Sequence, residues 1–187
     1  MNVIIFGPPG AGKGTQANNL VKKYNLYQIS TGDLLRSEVS NKTDIGRNIE
    51  NIISKGDFAT DEIVNELIQK VVSNPQKKNK LIFDGYPRSL SQAKNLDILL
   101  NSSNQKIDFI FFLNVKKETI IKRIEKRKIL EKRADDNLKT ILKRYDTYME
   151  TTKPVLDFYS KNPNFYEIDG SVNIDEISSK IEQILSV

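Results

Sequence analysis

Near the amino terminus, Gly7-Pro8-Pro9-Gly10-Ala11-Gly12-Lys13-Gly14-Thr15 gathers four of the chain's nine glycines around one lysine and one hydroxyl. Glycines let a backbone curl until successive N–H groups point at a single anion, and Lys13 adds a full positive charge. The chemistry this favours is the binding of a nucleotide polyphosphate. The usual phosphate-loop pattern has Ser or Thr directly after the lysine; here Gly14 intervenes and the hydroxyl falls on Thr15. A second chemical centre is Asp84, which ends the apolar run Leu81-Ile82-Phe83 and precedes Gly85-Tyr86-Pro87-Arg88. An acid at a strand end beside a phosphate loop is placed to hold Mg²⁺ or its waters, so Asp84 is the first metal candidate and Thr15 the second. Further arginines at 36, 123, 127, 133 and 144 carry planar forks that grip phosphate oxygens at two points.

The chain has no Cys and no His. Disulfides, Cys/His zinc sites, cysteine nucleophiles and histidine acid–base chemistry are thereby excluded. Carboxylates, lysine, arginine and a bound metal are left to do the work, and phosphoryl transfer asks for little else. Its transition state spreads charge over equatorial oxygens, so positioning and cationic stabilisation dominate.

The net charge of +5 is unevenly spread, with twelve Lys/Arg against five Asp/Glu between residues 116 and 144. From the residues alone this tract is a phosphate-neutralising cluster, a solvated helix face or a nucleic-acid surface. No aromatic residues interleave it, which weighs against nucleic acid.

The elements that must position these groups alternate. Residues 3–6 form an apolar strand, 16–24 a helix and 27–29 a short strand. Ser30 or Thr31 caps the next helix, which holds Asp33 in its first turn and Arg36 after it. Residues 43–54 form a second short helix closed by Lys55-Gly56, and Thr60 opens another. Strand 80–84, helix 89–100 with Gln92 one turn in, and the near-continuously apolar strand 108–115 follow. A basic helix over 118–126 places Arg123 and Arg127 on one face, and a five-residue bridge, 128–132, leads to Arg133. Asp135-Asp136-Asn137 then caps a long helix with Leu138, Ile141, Leu142, Tyr145 and Tyr148 inward; strand 165–168 and helix 174–185 close the chain. Strand–helix alternation gives an α/β fold with a parallel sheet. At 187 residues one domain with a sizeable core is expected. There is neither a stretch of ~18 apolar residues nor a basic leader, so a cytoplasmic protein is expected.

Taken in order, these motifs resemble those of the adenylate kinases, within the nucleoside monophosphate kinases, over nearly the whole chain. The resemblance rests on residues 7–15, Ser30-Thr31-Gly32-Asp33 with Arg36, Asp84-Gly85-Tyr86-Pro87-Arg88 with Gln92, and Arg123, Arg127, Arg133 and Arg144. It implies a P-loop NTPase-type three-layer sandwich, about five parallel strands flanked by helices. The core would comprise residues 1–29, 60–126 and 134–187, with a small NMP-binding lobe at 30–59 and a short lid at 127–133. It also implies Mg·ATP + AMP ⇌ 2 ADP, with Mg²⁺ and no zinc, ATP and AMP as partners, no nucleic acid or membrane, and a monomer. Gly10, Ala11, Gly12, Lys13, Gly14 and Thr15 would hold ATP phosphates, Arg123 and Arg127 would lie over ATP, and the Val172 backbone would meet its base. Thr31, Arg36, Asp57, Phe58, Ala59, Gly85, Tyr86, Pro87, Arg88 and Gln92 would hold AMP, Gln92 at the adenine edge. Arg133 and Arg144 would bridge the transferring phosphoryl; Lys13, Arg88, Arg123, Arg133 and Arg144 would be the catalytic set. Tyr86 replaces the phenylalanine common at its position, a change expected to matter little. A UMP/CMP kinase has a similar short lid, but Thr31 and Gln92 favour adenine. A nucleotide-dependent switch would not need the extra arginines.

Overall fold

The structure is a computed structural model that describes all residues except Gly56, Phe58, 132–137 and Val187, and only the backbone of 127–131 and 138. Five strands, all parallel, stand in the order β2-β3-β1-β4-β5: β1 (Val3–Phe6), β2 (Tyr27–Ser30), β3 (Leu81–Asp84), β4 (Phe109–Asn114) and β5 (Phe165–Asp169). Period-two alternation sends β1 side chains to both faces. Ile4 and Phe6 join Ile29, Leu81 and Phe83 in one apolar cluster, while Val3 and Ile5 join Ile82, Phe111 and Leu113 in the other. Helices cover both faces, which is why the central strands carry almost no polar residue.

The first cluster is closed by α2 (Thr31–Ser40), α3 (Asp44–Ser54), α4 (Asp61–Val72), α5 (Leu90–Ser102) and α8 (Lys153–Tyr159). The second is closed by α1 (Lys13–Tyr24), α6 (Lys117–Glu131), α7 (Leu138–Thr147) and α9 (Ile174–Leu185). Register aligns the ends that matter: Asp84 lies opposite Ile5 of β1 and Ser30 of β2. The loop after β1, the start of α2 and the segment after β3 therefore leave the same edge of the sheet, where ligands of open α/β sheets bind.

Two elements differ from expectation. Helix α6 runs to Glu131, past residue 126, because Lys128-Ile129-Leu130-Glu131 contains no Gly or Pro to stop it. Residues 127–131 of the expected lid are thus helical in backbone, and the rest of the lid, with the Asp135-Asp136-Asn137 cap, lies outside the described residues. The long helix of the carboxyl-terminal third is interrupted: α7 ends at Thr147, and a π turn, Tyr148–Thr152, precedes α8. Pro154, in the first turn of α8, has no N–H for the α-helical ladder, which accounts for a break here.

The lobe packs closely. A Cβ on Gly46, in the first turn of α3, would lie 2.0 Å from the Glu38 carbonyl oxygen of α2. Gly46→Ala is therefore expected to push the two helices apart at a cost of about 1–3 kcal/mol or more. At roughly 2–4 °C per kcal/mol for a chain of this size, thermal unfolding should register a fall of several degrees.

Candidate active site

Strand β1 delivers the glycine-rich loop at Gly7, and a turn from Ala11 N–H to the Pro8 carbonyl (3.1 Å) folds it back toward α1. Gly10 has φ +78°, and a Cβ there would stand 2.7 Å from Ile124 Cγ1, so the loop runs tight against α6. Helix α1 starts without a side-chain cap and without an acid in its first turn. Helices α2, α3, α5 and α9, by contrast, begin with Ser30, Thr43, Ser89 and Asn173 accepting a backbone N–H. The amino-terminal field of α1 is thus left for an anion. Lys13 folds its ammonium across the loop, donating to the carbonyls of Gly7 (2.8 Å) and Pro8 (3.0 Å). Asp84 stands beside α1, its Oδ2 being 3.4 Å from where a Gly14 Cβ would lie. The same oxygen accepts from Gln28 Nε2 at 3.1 Å. Thr15 is exposed.

A second set of groups surrounds Gly85. Its carbonyl accepts from Thr31 Oγ1 (2.8 Å) and from Arg88 Nε (2.7 Å), joining the first residue of α2 to the segment after β3. With φ +76° and its missing Cβ only 2.9 Å from Arg88 Nη2, Gly85 admits no side chain. Burial pushes the Arg88 guanidinium down to about 10, and the positive charges of Arg144 and Arg36 act in the same sense, while Asp84 opposes them. Arg88 is thus a buried cation set among other cations with Asp84 opposing, a setting in which an added anion would favour its charged form. Arg36 pairs with Asp33 on its own helix. The Arg88 carbonyl accepts from Thr152 Oγ1 of the π turn at 3.2 Å. Gln92 is buried; its Oε1 accepts from Arg88 N–H and its Nε2 donates to Asp61 Oδ1, both at 2.7 Å. Tyr86, the departure expected to matter little, uses its hydroxyl: it donates to Asn65 Oδ1 (2.8 Å) and reaches the Gln92 carbonyl (3.2 Å). Burial raises that phenol to about 12.

A third set lies where α6 meets the turn after β5. Arg123 donates from Nη1 to the Ala11 carbonyl (3.3 Å) and from Nη2 to the Val172 carbonyl (3.1 Å). One guanidinium so bridges the phosphate loop to the turn that leads into α9. Gln16, next after Thr15, reinforces the junction: its Nε2 donates to the Ile174 carbonyl (3.0 Å) and its Oε1 accepts from Ser178 Oγ (2.8 Å).

Of the residues expected from sequence, the structure gathers Lys13, Asp84, Thr31, Arg36, Gly85, Arg88, Gln92 and Arg144 at one edge of the sheet and sets Arg123 with Val172 beside the loop. Ala59 is part of the apolar core. Asp57 pairs with Lys143 Nζ (2.5 Å), which ties the end of the lobe to the turn of α7 that carries Arg144. Phe58, Arg133 and the Arg127 side chain lie outside the described residues. Sequence reasoning missed Asp61, Asn65, Gln28, Lys143, Thr152 and Gln16. Asp61 was legible only as a helix-opening acid, and no local signal announces a partner on another element. An anion cradle, a carboxylate, and cations at two levels along the sheet edge suit the handling of two phosphate-bearing ligands, not acyl or redox chemistry.

A family model described as adenylate kinase matches residues 5–164. A protein of Pelagibacter ubique named adenylate kinase is 51% identical, with both chains covered in full. That alignment extends over 213 positions against 187 residues in this chain, so the relative holds sequence this one lacks. A Caulobacter adenylate kinase is 38% identical over 187 positions, covering 100% of this chain and 99% of its own. One from Thermosipho africanus is 32% identical over 99% of both.

Proposed function

This chain belongs to the adenylate kinase family, and from that premise we propose which residues carry each part of its reaction. The enzyme transfers a phosphoryl group from ATP to AMP, reversibly, giving two ADP and so balancing the adenine nucleotides. Gly10 to Thr15 hold the ATP phosphates on loop amides and the α1 terminus, and Lys13 exchanges its two carbonyl partners for phosphate oxygens. Arg123 and Arg127 lie over ATP, whose base meets the Val172 backbone. AMP occupies the space between the lobe and the segment after β3, its phosphate on Arg36 and Arg88 and its purine edge at Gln92. Thr31, Asp57, Phe58, Ala59 and residues 85–87 shape that space. Arg133 and Arg144 bear on the phosphoryl in transit.

A half-buried carboxylate beside the loop suits Mg²⁺, which binds through one or two acids and completes its shell with phosphates and water. Asp84 would hold it, directly or through water, with Thr15 as the second candidate. Bound there, the metal would supply positive charge to neutralise that developing on the phosphoryl group in transit. A monomer in the cytoplasm, acting on freely diffusing nucleotides, completes the reading. Arg123 and Arg144 give the basic tract a phosphate-binding role that needs no nucleic acid.

The observation that supports these assignments is the joining of Thr31 of α2 and Arg88 at the Gly85 carbonyl, directly after Asp84 and at the sheet edge that also emits the glycine loop. A coupled assay of ADP formation from Mg·ATP with AMP, CMP, UMP or GMP tests the acceptor, and AMP should be the preferred one. Lys13→Ala and Arg88→Ala should each lower turnover by roughly 10³-fold or more with the fold intact. Near-normal turnover in Arg88→Ala would overturn the acceptor assignment. Gln92→Ala should raise the KM for AMP more than it lowers kcat.

A further inference from the structure

Helix α4 carries Asp61 and Asn65 one turn apart, and both reach across to the segment after β3. Asp61 uses both carboxylate oxygens. Oδ1 accepts from Gln92 Nε2 and Oδ2 from Ser89 Oγ, each at 2.7 Å. Ser89 Oγ in turn caps α5 by accepting the Gln92 N–H at 3.1 Å. On its other side the Gln92 amide accepts the Arg88 N–H through Oε1 at 2.7 Å. Gln92 is only 4% exposed, so these partners act without competition from bulk water.

The chemistry of the two neighbours dictates which end of the amide is which. A backbone N–H only donates and a carboxylate only accepts. Turning the amide over would set Oε1 against the Asp61 carboxylate and the NH₂ against the Arg88 N–H. Two hydrogen bonds would be lost and two contacts of like polarity made in a buried place, a combination that is strongly disfavoured.

We infer that Asp61 is a specificity-determining positioning residue: it locks the Gln92 amide in the orientation that pairs with a 6-aminopurine and opposes a 6-oxopurine. The inference rests on the reading of Gln92 as the group at the purine edge. Beyond its fixed bonds, the amide keeps one lone pair on Oε1 and one N–H on Nε2. Adenine presents an amino donor at position 6 and a ring-nitrogen acceptor at position 1. Hypoxanthine presents the reverse, an oxygen acceptor and an N–H donor. A freely turning glutamine would match either base by flipping; a locked one matches a single polarity. A site built to hydrogen-bond one partner rejects an analogue that leaves its polar groups unpaired.

Asp61→Asn keeps the shape and can offer either an oxygen or an NH₂ to Gln92, so it removes the carboxylate's half of the lock and leaves the Arg88 N–H alone to orient the amide. The measurement is kcat/KM for AMP and for inosine monophosphate, with Mg·ATP as donor, in the wild type and the variant. The ratio of AMP to inosine monophosphate should fall roughly tenfold, the worth of one mismatched buried hydrogen bond. The change should lie mainly in KM for the monophosphates, with KM for ATP unmoved. An unchanged ratio overturns the inference, even if both acceptors lose activity equally, because Asp61 would then serve packing alone. Should Asp61→Asn fail to fold, Asp61→Ser, whose hydroxyl can donate or accept and so sets no polarity, is judged by the same ratio in the same way. Gln92→Ala run in parallel separates the two levels. If it leaves the KM for AMP and the ratio as in the wild type, the purine does not meet Gln92 and the underlying reading fails. If it collapses the ratio while Asp61→Asn preserves it, only the role given to Asp61 fails.

Discussion

Like charges crowded together before any ligand arrives are the constraint on which the structure turns. Burial, with the positive charges of Arg144 and Arg36, depresses Arg88, and Asp84 opposes them. A single solvated arginine offers a phosphate little beyond a screened Coulomb attraction. Several cations fixed in a low-dielectric edge of a sheet offer much more, because their attractions to an anion add and are weakly screened there. Such an arrangement raises the energy of the empty fold, and the two apolar clusters sandwiching the sheet must offset it. β1 illustrates how firmly that scaffold is held: three of its four side chains are wholly buried and the fourth nearly so.

The scaffold also explains the direction in which the charges face. Parallel strands align their carboxyl ends, and the β1–β3–β2 register sets Ile5, Asp84 and Ser30 side by side. Each strand then emits a different tool: the glycine loop and α1, the Gly85–Arg88 segment, and α2 with Thr31 and Arg36. Helix α1 differs from its capped neighbours in having only Gly12 at its start, and this difference makes its amides available to a ligand. On the far side, Arg123 spans the Ala11 and Val172 carbonyls, so the loop that meets phosphates and the turn after β5 are set at a fixed separation.

Much of this was readable in the sequence, since loop, strands and acceptor motifs are written in contiguous residues whose spacing reflects local geometry. The apolar runs in β1, β3 and β4 and the Asn173-capped final helix needed no tertiary information. What stayed hidden depends on partners distant in sequence. Asp61 reads as a helix-opening acid, yet its carboxylate serves residues 28 and 31 positions away. The Tyr86 hydroxyl looks dispensable until Asn65 appears opposite it. The end of α6 and the π turn before α8 were invisible for another reason. Propensity gives no stop signal at residue 126, and a single Pro154 in a helical pattern does not say whether the break will be a kink, a new helix or a wider turn.

Those long-range partners divide the acceptor site into two mechanically unlike halves. The segment from Gly85 to Gln92 is secured from three directions: Thr31 bonds Gly85, Thr152 bonds the Arg88 carbonyl, and α4 holds Tyr86, Ser89 and Gln92. Arg36 has no comparable anchorage; its ion pair joins it to Asp33 of the same helix, half exposed, where such a pair is weak. At the other end of the lobe, the tie of Asp57 to Lys143 of the body is likewise a partly exposed ion pair. On the proposed assignment, rigid positioning would fall to Arg88 and Gln92, at opposite ends of the acceptor, while Arg36 would exchange its carboxylate for a phosphate at little cost. A site so divided would fix where the acceptor lies through its stiff half and gather its charge through its compliant half. This reconciles close geometric control of the reacting phosphates with a ligand that must still enter and leave.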